Sequence, residues 1–443
     1  MKRAVWPAVP DDLRSRERFI LLAGLAYVAT TVLAGPLRMY LSLAGLSALI
    51  YAPNLLLLLA IGWQLLALPG ERGFTGIHLV ALLIPCNALA VGLQFVSAAQ
   101  AAMGLYVLLP FWFGLTCGPV LLERWHLVGR LVPLCWLVVV TGVLANQLIE
   151  YPWEGFGYNV GNLEVEGSRQ WFANGGTRRL AGLARASFDA AVHVQLAGVL
   201  LALQTRSSLL RLLVWAVTIA AILPTTSKGM LLAAVVLTPI VLLRGALPAT
   251  PLRFLPAVFG SIGLALPVST LFFKFSSPLK DPLLANLTNS FYDRLNDMWP
   301  GAWALLSDHG HPLLGRGVGG IGTAQNYFEP ALFNAGDNLF MYWFVVFGWV
   351  ALPGIALLLL ASLRIQPQRN AEEMRVYCLL LTTLVYGMIT NIVENALSAL
   401  VFGLVVRWLC SNPAARRYQH EWCGKTRAVP AMASTGGSHV AKC

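Results

Sequence analysis

A carboxylate, the amide beside it and a scattered set of cations are the residues of this chain best suited to chemistry. Asp337 and Asn338 stand at the mouth of the apolar run 339–363, behind a glycine-dense turn, HPLLGRGVGGIG, that carries Arg316. Arg294 opens the amphipathic stretch ahead of that turn. Arg178, Arg179 and Arg185 fall in RRLAGLARASFDAA, and Lys228 in TTSKGMLLAAVV. Guanidinium groups held in place offer paired N–H donors to anions and stabilise charge as a leaving group departs. A carboxylate within reach of a hydroxyl orients it or takes its proton. Together these residue types suit the displacement of an anionic leaving group by a hydroxyl.

Structural roles compete with each of these. Asp337 is equally placed to be a plain helix N-cap. Arg178, Arg179 and Arg185 can anchor the chain at a membrane interface by reaching towards headgroups, and Arg294 can pair with Asp297 along one helix face. Asp189 and His193 share a face of an apolar helix and read as a hydrogen-bonded pair inside a bundle. Glu394, between the last two apolar runs, reads as solvated. His309 and His311 belong to a polar loop beside Pro312. Gly317, Gly319 and Gly322 match G-x-G-x-x-G, but no strand–helix–strand pattern surrounds them, so a dinucleotide site is not expected. Neither long polar loop holds a cysteine and no Cys/His spacing matches a ligand set, so neither a disulfide framework nor a metal site is expected.

The elements that must position these groups are membrane helices. Hydrophobic residues make up 57% of the 443 and charged ones only 12%, far from soluble composition. Successive apolar runs of spanning length predict an all-α polytopic integral membrane protein with about twelve transmembrane helices. They cover residues 19–34, 38–68, 77–96, 101–122, 127–148, 188–203, 209–223, 230–243, 254–275, 339–363, 376–390 and 396–409. The second run is too long for one straight crossing and contains Pro53, so a short interfacial or broken piece is expected ahead of that span. Residues 1–409 form one transmembrane domain, and 410–443 are expected to be a disordered cytoplasmic tail. Two polar loops, 150–179 and 276–336, interrupt it. Short amphipathic helices are expected on them, one of them starting at Arg294, with Leu295, Met298, Trp299, Ala302 and Leu306 at helical spacing.

Charge orients the bundle. The net charge of +11 is not clustered on a soluble face, so nucleic-acid binding is not expected. With both termini inside, the short loops near residues 71–72, 123–130, 206–211, 244–253 and 364–375 fall on the cytoplasmic side. Together with the termini they hold about two thirds of the 31 lysines and arginines, as the positive-inside rule requires. Both long loops then face outwards, into the periplasm of a Gram-negative cell. ATP is not available there, so a reaction must draw on a substrate activated beforehand, such as a sugar on a polyprenyl diphosphate lipid.

Three patches resemble the bacterial O-antigen ligase and Wzy-type O-antigen or exopolysaccharide polymerase superfamily. RRLAGLARASFDAA, at the end of the first loop, is similar to the family's arginine, glycine and small-residue approach to a span. TTSKGM stands where the family has Ser-Arg-Gly, with Lys228 in the arginine's place. Arg294 and Trp299 precede HPLLGRGVGG much as a family arginine precedes a Pro-Leu-x-Gly-x-Gly turn. The family's His-Asn is here Asp337-Asn338, and the acid that often precedes its next glycine is Phe347, before Gly348. The resemblance implies a GT-C-like fold in the bacterial inner membrane and an inverting glycosyltransferase that needs neither metal nor nucleotide cofactor. Its substrates would be undecaprenyl-diphosphate-linked glycans, and its acceptor a second repeat unit (polymerase) or lipid A-core (ligase), with a chain-length regulator as a protein partner. Asp337, Arg294 and Arg179 are the candidate catalytic residues; Arg178, Arg185, Lys228, Arg316 and Asn338 are the candidate diphosphate and glycan ligands. Polymerase is favoured over ligase because of Asp337. Few charges lie within the spans, which argues against a transporter or flippase.

Overall fold

Apolar runs leave backbone N–H and C=O groups no partner in lipid except a helix's own ladder. Each apolar run above is helical in the computed structural model, which describes residues 15–71, 76–160, 163–173, 176–275 and 282–410. The expected disordered tail, beyond Cys410, lies outside those residues. In order, the elements begin with α1 Ser15–Val32, α2 Ala34–Leu43, α3 Ala52–Glu71, α4 Gly76–Phe95, α5 Ala98–Glu123, α6 Trp125–Val128 and α7 Val132–Ala145. Four strands follow, β1 Gly157–Val160, β2 Leu163–Glu166, β3 Trp171–Phe172 and β4 Arg178–Arg179. The remainder is helical: α8 Ser187–Gln204, α9 Ser208–Ile222, α10 Lys228–Leu242, α11 Ala249–Ser269, α12 Pro282–Asp293, α13 Trp299–His309, α14 Thr323–Phe328, α15 Leu339–Phe347, α16 Ala351–Ser362, α17 Ala371–Gly387 and α18 Ala396–Cys410. This is a mostly helical, membrane-embedded protein.

Among the described residues six helices are long and apolar enough to cross a membrane: Ser47–Ala67, Ala98–Glu123, Ser187–Gln204, Ser208–Thr225, Ala249–Ser269 and Leu339–Ser362. α1 and α2, bent by 87°, make a seventh if taken as one span. Leu82–Phe95, Val132–Ala145, Lys228–Leu242 and Ala396–Cys410 are apolar but shorter. The short piece expected ahead of the second crossing is α2, and Gly35 shows why the chain turns there. A Cβ on Gly35 would sit 2.5 Å from the Trp153 indole, and its N–H donates to Leu183 O at 2.9 Å. The bend therefore lays α2 against the first polar loop.

That loop departs from expectation. It carries two antiparallel hairpins, β1 with β2 and β3 with β4, instead of a short amphipathic helix. Leu163, Glu164, Val165 and Glu166 alternate apolar with acidic along β2, a period of two that no helix can use. The second loop does hold helices, α12, α13 and α14. Its glycine-dense turn packs against α4 and α5: Val318 N donates to Ala88 O at 3.0 Å, and a Cβ on Gly317, at φ 75°, would lie 2.1 Å from Gly92 N. Close backbone approach is thus the use of these glycines, as helix contacts.

The ends of the helices differ in character. At one end the basic connections meet: Arg124 bonds Glu17 at 2.9 Å, Arg375 stacks on Trp125, and Trp408 donates to Glu372 at 2.7 Å. At the other end the hairpins, the second loop and the segment between α17 and α18 come together. Between them lies a continuous core centred on α8, α10, α15 and α17, whose facing residues are Ala, Val, Leu and Phe with almost no exposed area.

Candidate functional site

α12 runs into a single widened π turn, Arg294–Met298, before α13 begins. Such turns shift the side chains that follow and recur at functional positions. Here the turn opens on Arg294, whose guanidinium is divided three ways. Nη2 donates to Asp337 Oδ2 at 2.7 Å, Nε to Ile389 O at 3.0 Å, and Nη1 to Ser290 O at 2.5 Å. Arg294 therefore joins α12, the 337 loop and the end of α17. Its carboxylate partner is Asp337, in place of the expected Asp297.

Asn338, and not Asp337, is the cap of α15. Its Oδ1 accepts from Phe340 N at 2.8 Å and Met341 N at 3.0 Å, while Nδ2 donates to Gly263 O and Met388 O, both at 2.8 Å. Two lone-pair directions and two N–H groups are all used, and the residue is fully buried. Asn338 is thus a helix cap and a tie to α11 and α17, which corrects its assignment as a ligand. The same division releases the Asp337 carboxylate from capping. Its backbone oxygen accepts from Trp299 Nε1 at 3.2 Å, which fixes where the side chain starts, and that side chain keeps 23% of its surface. Burial pushes the Asp337 carboxyl above its usual range, and the Arg294 charge and hydrogen bond pull against that shift.

Two further cations reach the same place. Arg179 lies on β4 opposite Trp171, with Nε donating to Thr225 O at 3.4 Å and its guanidinium 5.7 Å from the Trp171 ring centre. Burial holds its pKa below the usual value, the nearby Tyr386 opposes this, and Arg294 adds to it. Lys228 opens α10 just past Thr226, whose left-handed backbone (φ 53°) is uncommon for a β-branched residue. Both Arg179 and Arg294 act on its ammonium. Arg179, Lys228, Arg294 and Asp337 come from four separate stretches and converge. Like charges held this near one another repel, a cost that a bound anion reduces.

The other proposed ligands lie elsewhere. Arg178 ties the first loop together, bonding Glu150 at 2.6 Å, Glu154 at 3.4 Å and Asn146 O at 2.9 Å. Arg316 is only 2% exposed and is spent on both oxygens of Glu329 (3.0 and 2.9 Å), Gly320 O and His309 O. Neither joins the cluster, because each is consumed in holding its own loop. Arg185 donates to Glu166 O at 3.2 Å and lines a neighbouring cavity.

This cavity, of about 220 Å³, opens between the bend of α1 and α2, the hairpins and the segment after α17. Arg38, Arg169 and Arg185 line it together with Asp189, Glu394 and Asn395. Sequence reasoning missed most of these. Asp189 takes its hydrogen bond from Asn395 Nδ2 at 2.7 Å, not from His193. Glu394 is not solvated: its Oε2 accepts from Thr323 N at 2.8 Å and Thr323 Oγ1 at 2.9 Å, and burial pushes its carboxyl up to about 7. An acid between two apolar runs in IVENALS was the available signal.

Compared with known proteins, the chain matches no family model, no curated protein and no solved structure.

Proposed function

We propose that this chain is a glycosyltransferase that acts on undecaprenyl-diphosphate-linked glycans at the non-cytoplasmic face of the membrane and joins repeat units of an O-antigen or exopolysaccharide. One observation carries this: Arg179, Lys228 and Arg294 lie within electrostatic range of one another, and Arg294 pairs with Asp337. A diphosphate is the kind of leaving group that such a set neutralises. The convergence joins the residues of all three patches that carry the family resemblance.

In the transfer, the acceptor hydroxyl oxygen attacks the anomeric carbon and gives its proton to Asp337. The bond from that carbon to the diphosphate oxygen breaks, and the electron pair leaves with the diphosphate, which Arg179, Lys228 and Arg294 hold. Attack opposite the leaving group inverts the anomeric centre. The raised pKa of Asp337 makes it a better base than an exposed carboxylate.

Orientation belongs to the same proposal. If the six long helices, the bent pair, the four shorter apolar helices and α17 each cross once, the crossings number twelve, in the order of the apolar runs. An even number supports putting both termini on one side, and the positive charge of the connections there supports the cytoplasm for them and the outer face for the cluster.

Purified protein in lipid vesicles, supplied with an undecaprenyl-diphosphate-linked oligosaccharide, tests the reaction. A ladder of lengthened lipid-linked products is expected. Transfer only to added lipid A-core would replace polymerisation by ligation, and no transfer to either acceptor would remove the assignment.

A further inference from the structure

The cavity beside the cation cluster has a different chemistry from the cluster itself. Around it stand Arg38, Arg169 and Arg185 on one hand and Asp189 and Glu394 on the other. Among the described residues neither carboxylate closes onto an arginine. Asp189 is held by the Asn395 amide and Glu394 by Thr323, so opposite charges face one space without meeting across it. A purely structural ion pair would collapse that space, since separated buried charges forgo the attraction that offsets their desolvation.

What fills such a space must both donate and accept hydrogen bonds. A phosphate or carboxylate ligand has acceptors only, and gives nothing to the acceptor oxygens of Asp189 and of Glu394 when it is ionised. An ammonium has donors only and would meet the three guanidinium groups of Arg38, Arg169 and Arg185. A polyol satisfies both, because each hydroxyl gives one hydrogen bond and takes others. The volume of about 220 Å³ is below the roughly 300–1,000 Å³ of drug-sized sites, which limits the ligand to about one ring. Tyr106 adds an aromatic wall of the kind that covers a ring's apolar face.

We infer that the cavity lined by Arg38, Arg185, Asp189 and Glu394 is a monosaccharide subsite that seats the terminal ring of the acceptor glycan. The word acceptor rests on the glycosyltransferase reading; sugar binding in the cavity does not. The subsite is adjacent to the cation cluster at two points. The Trp171 ring is 5.5 Å from the Arg169 guanidinium of the cavity and 5.7 Å from that of Arg179 in the cluster, and Tyr386 lies within electrostatic range of both Asp189 and Asp337. A ring in the cavity therefore approaches a diphosphate-linked donor held by the cluster from the side of these two aromatic residues.

Saturation-transfer NMR on the full-length protein in nanodiscs tests this, with free hexoses, N-acetylhexosamines and hexuronic acids as one set of probes and farnesyl diphosphate as the other. At least one sugar is expected to bind. Glu394→Gln and Arg185→Met are each expected to weaken that binding about tenfold, as lost charge-assisted hydrogen bonds do. Asn54→Trp, which fills the cavity from the α3 side, should abolish it. All three variants should keep farnesyl diphosphate binding, which reports an intact cluster and fold. The subsite is overturned if no sugar of the panel binds, or if binding survives Asn54→Trp. Sugar binding without any farnesyl diphosphate binding supports the subsite and overturns the lipid-diphosphate reading of the cluster.

Discussion

Arg294 Nη2 and Asp337 Oδ2 meet at 2.7 Å across 43 positions of sequence, and the meeting depends on Asn338 having taken over the cap of α15. Each side chain has a second anchor nearby, Ile389 O for the arginine and the Trp299 indole on the backbone of the aspartate. The pair thus links three loop segments at the end of the bundle where the other cations gather. It also holds the carboxylate in one place while leaving part of it accessible.

Arg294→Lys tests whether charge alone suffices. A lysine reaches one of the three acceptors and lacks the planar fork. About a hundredfold loss of glycan formation is expected, with normal protein level, because fixed donors at a developing charge contribute that order of rate. Near-full activity in Lys with none in Ala would show that charge is enough. Arg369→Lys, at an exposed arginine paired with Glu373 at the basic end, should change little.

Asp337→Asn separates a base from a cap. Because Asn338 holds the cap, the substitution leaves α15 intact and removes the basicity and the negative charge that faces Arg294. A loss on the order of a hundredfold in kcat is expected, with Asp337→His recovering part of it. Burial raises the Asp337 carboxyl, so wild-type activity should fall with acidification at a higher pH than an ordinary carboxylate would set. That acidic limb should vanish in the pH profile of Asp337→Asn. Full activity of the Asn variant would take Asp337 out of the reaction.

Glu394 makes stability depend on pH. Its carboxyl is raised from 4.5 to about 7, so between those values the folded chain keeps a proton that the unfolded chain has lost. The stabilisation is fully present below the lower value and disappears as pH rises through the upper one. Its ceiling is on the order of 3 kcal/mol. Tm of the detergent-purified protein should fall from about pH 5 to about pH 8, and Glu394→Gln should flatten this slope. An unchanged slope in the variant would assign it to other groups.

Arg316 and Glu329 answer to a different assay. Breaking a buried pair by removing one partner costs about 3–5 kcal/mol, because the other charge is left without compensation. Arg316→Leu should therefore lower Tm sharply, and adding Glu329→Gln should restore part of it. If Arg316→Leu keeps its Tm but loses donor binding, Arg316 belongs to the site after all.

Impermeant thiol reagents test the orientation in a variant without native cysteines. Asn326→Cys, exposed on α14, should label in intact cells, and Ala246→Cys, exposed between α10 and α11, only after lysis. The reverse pattern would put the cation cluster in the cytoplasm and remove the proposed substrate.

Sequence alone determined the helices, because hydrophobicity and its spacing are local properties and lipid allows a lone segment no other way to satisfy its backbone. It also pointed to Arg179, Lys228, Arg294 and Asp337, each within a short patch of recognisable residues. Only tertiary structure decided how those groups are used. Asp337 and Asn338 are both good caps, and what separated them was the carbonyls of Gly263 and Met388, which hold Asn338 from other helices. Arg316 looks as available as Arg294 until Glu329 closes on it. The hairpins were missed because strands this short gain their stability from pairing and from the helices beneath them, not from their own propensity. The cavity was illegible for the same reason at longer range. Thr323 and Glu394 are 71 positions apart and Asp189 and Asn395 are 206 apart, so nothing local in the chain announces that their carboxylates share one space.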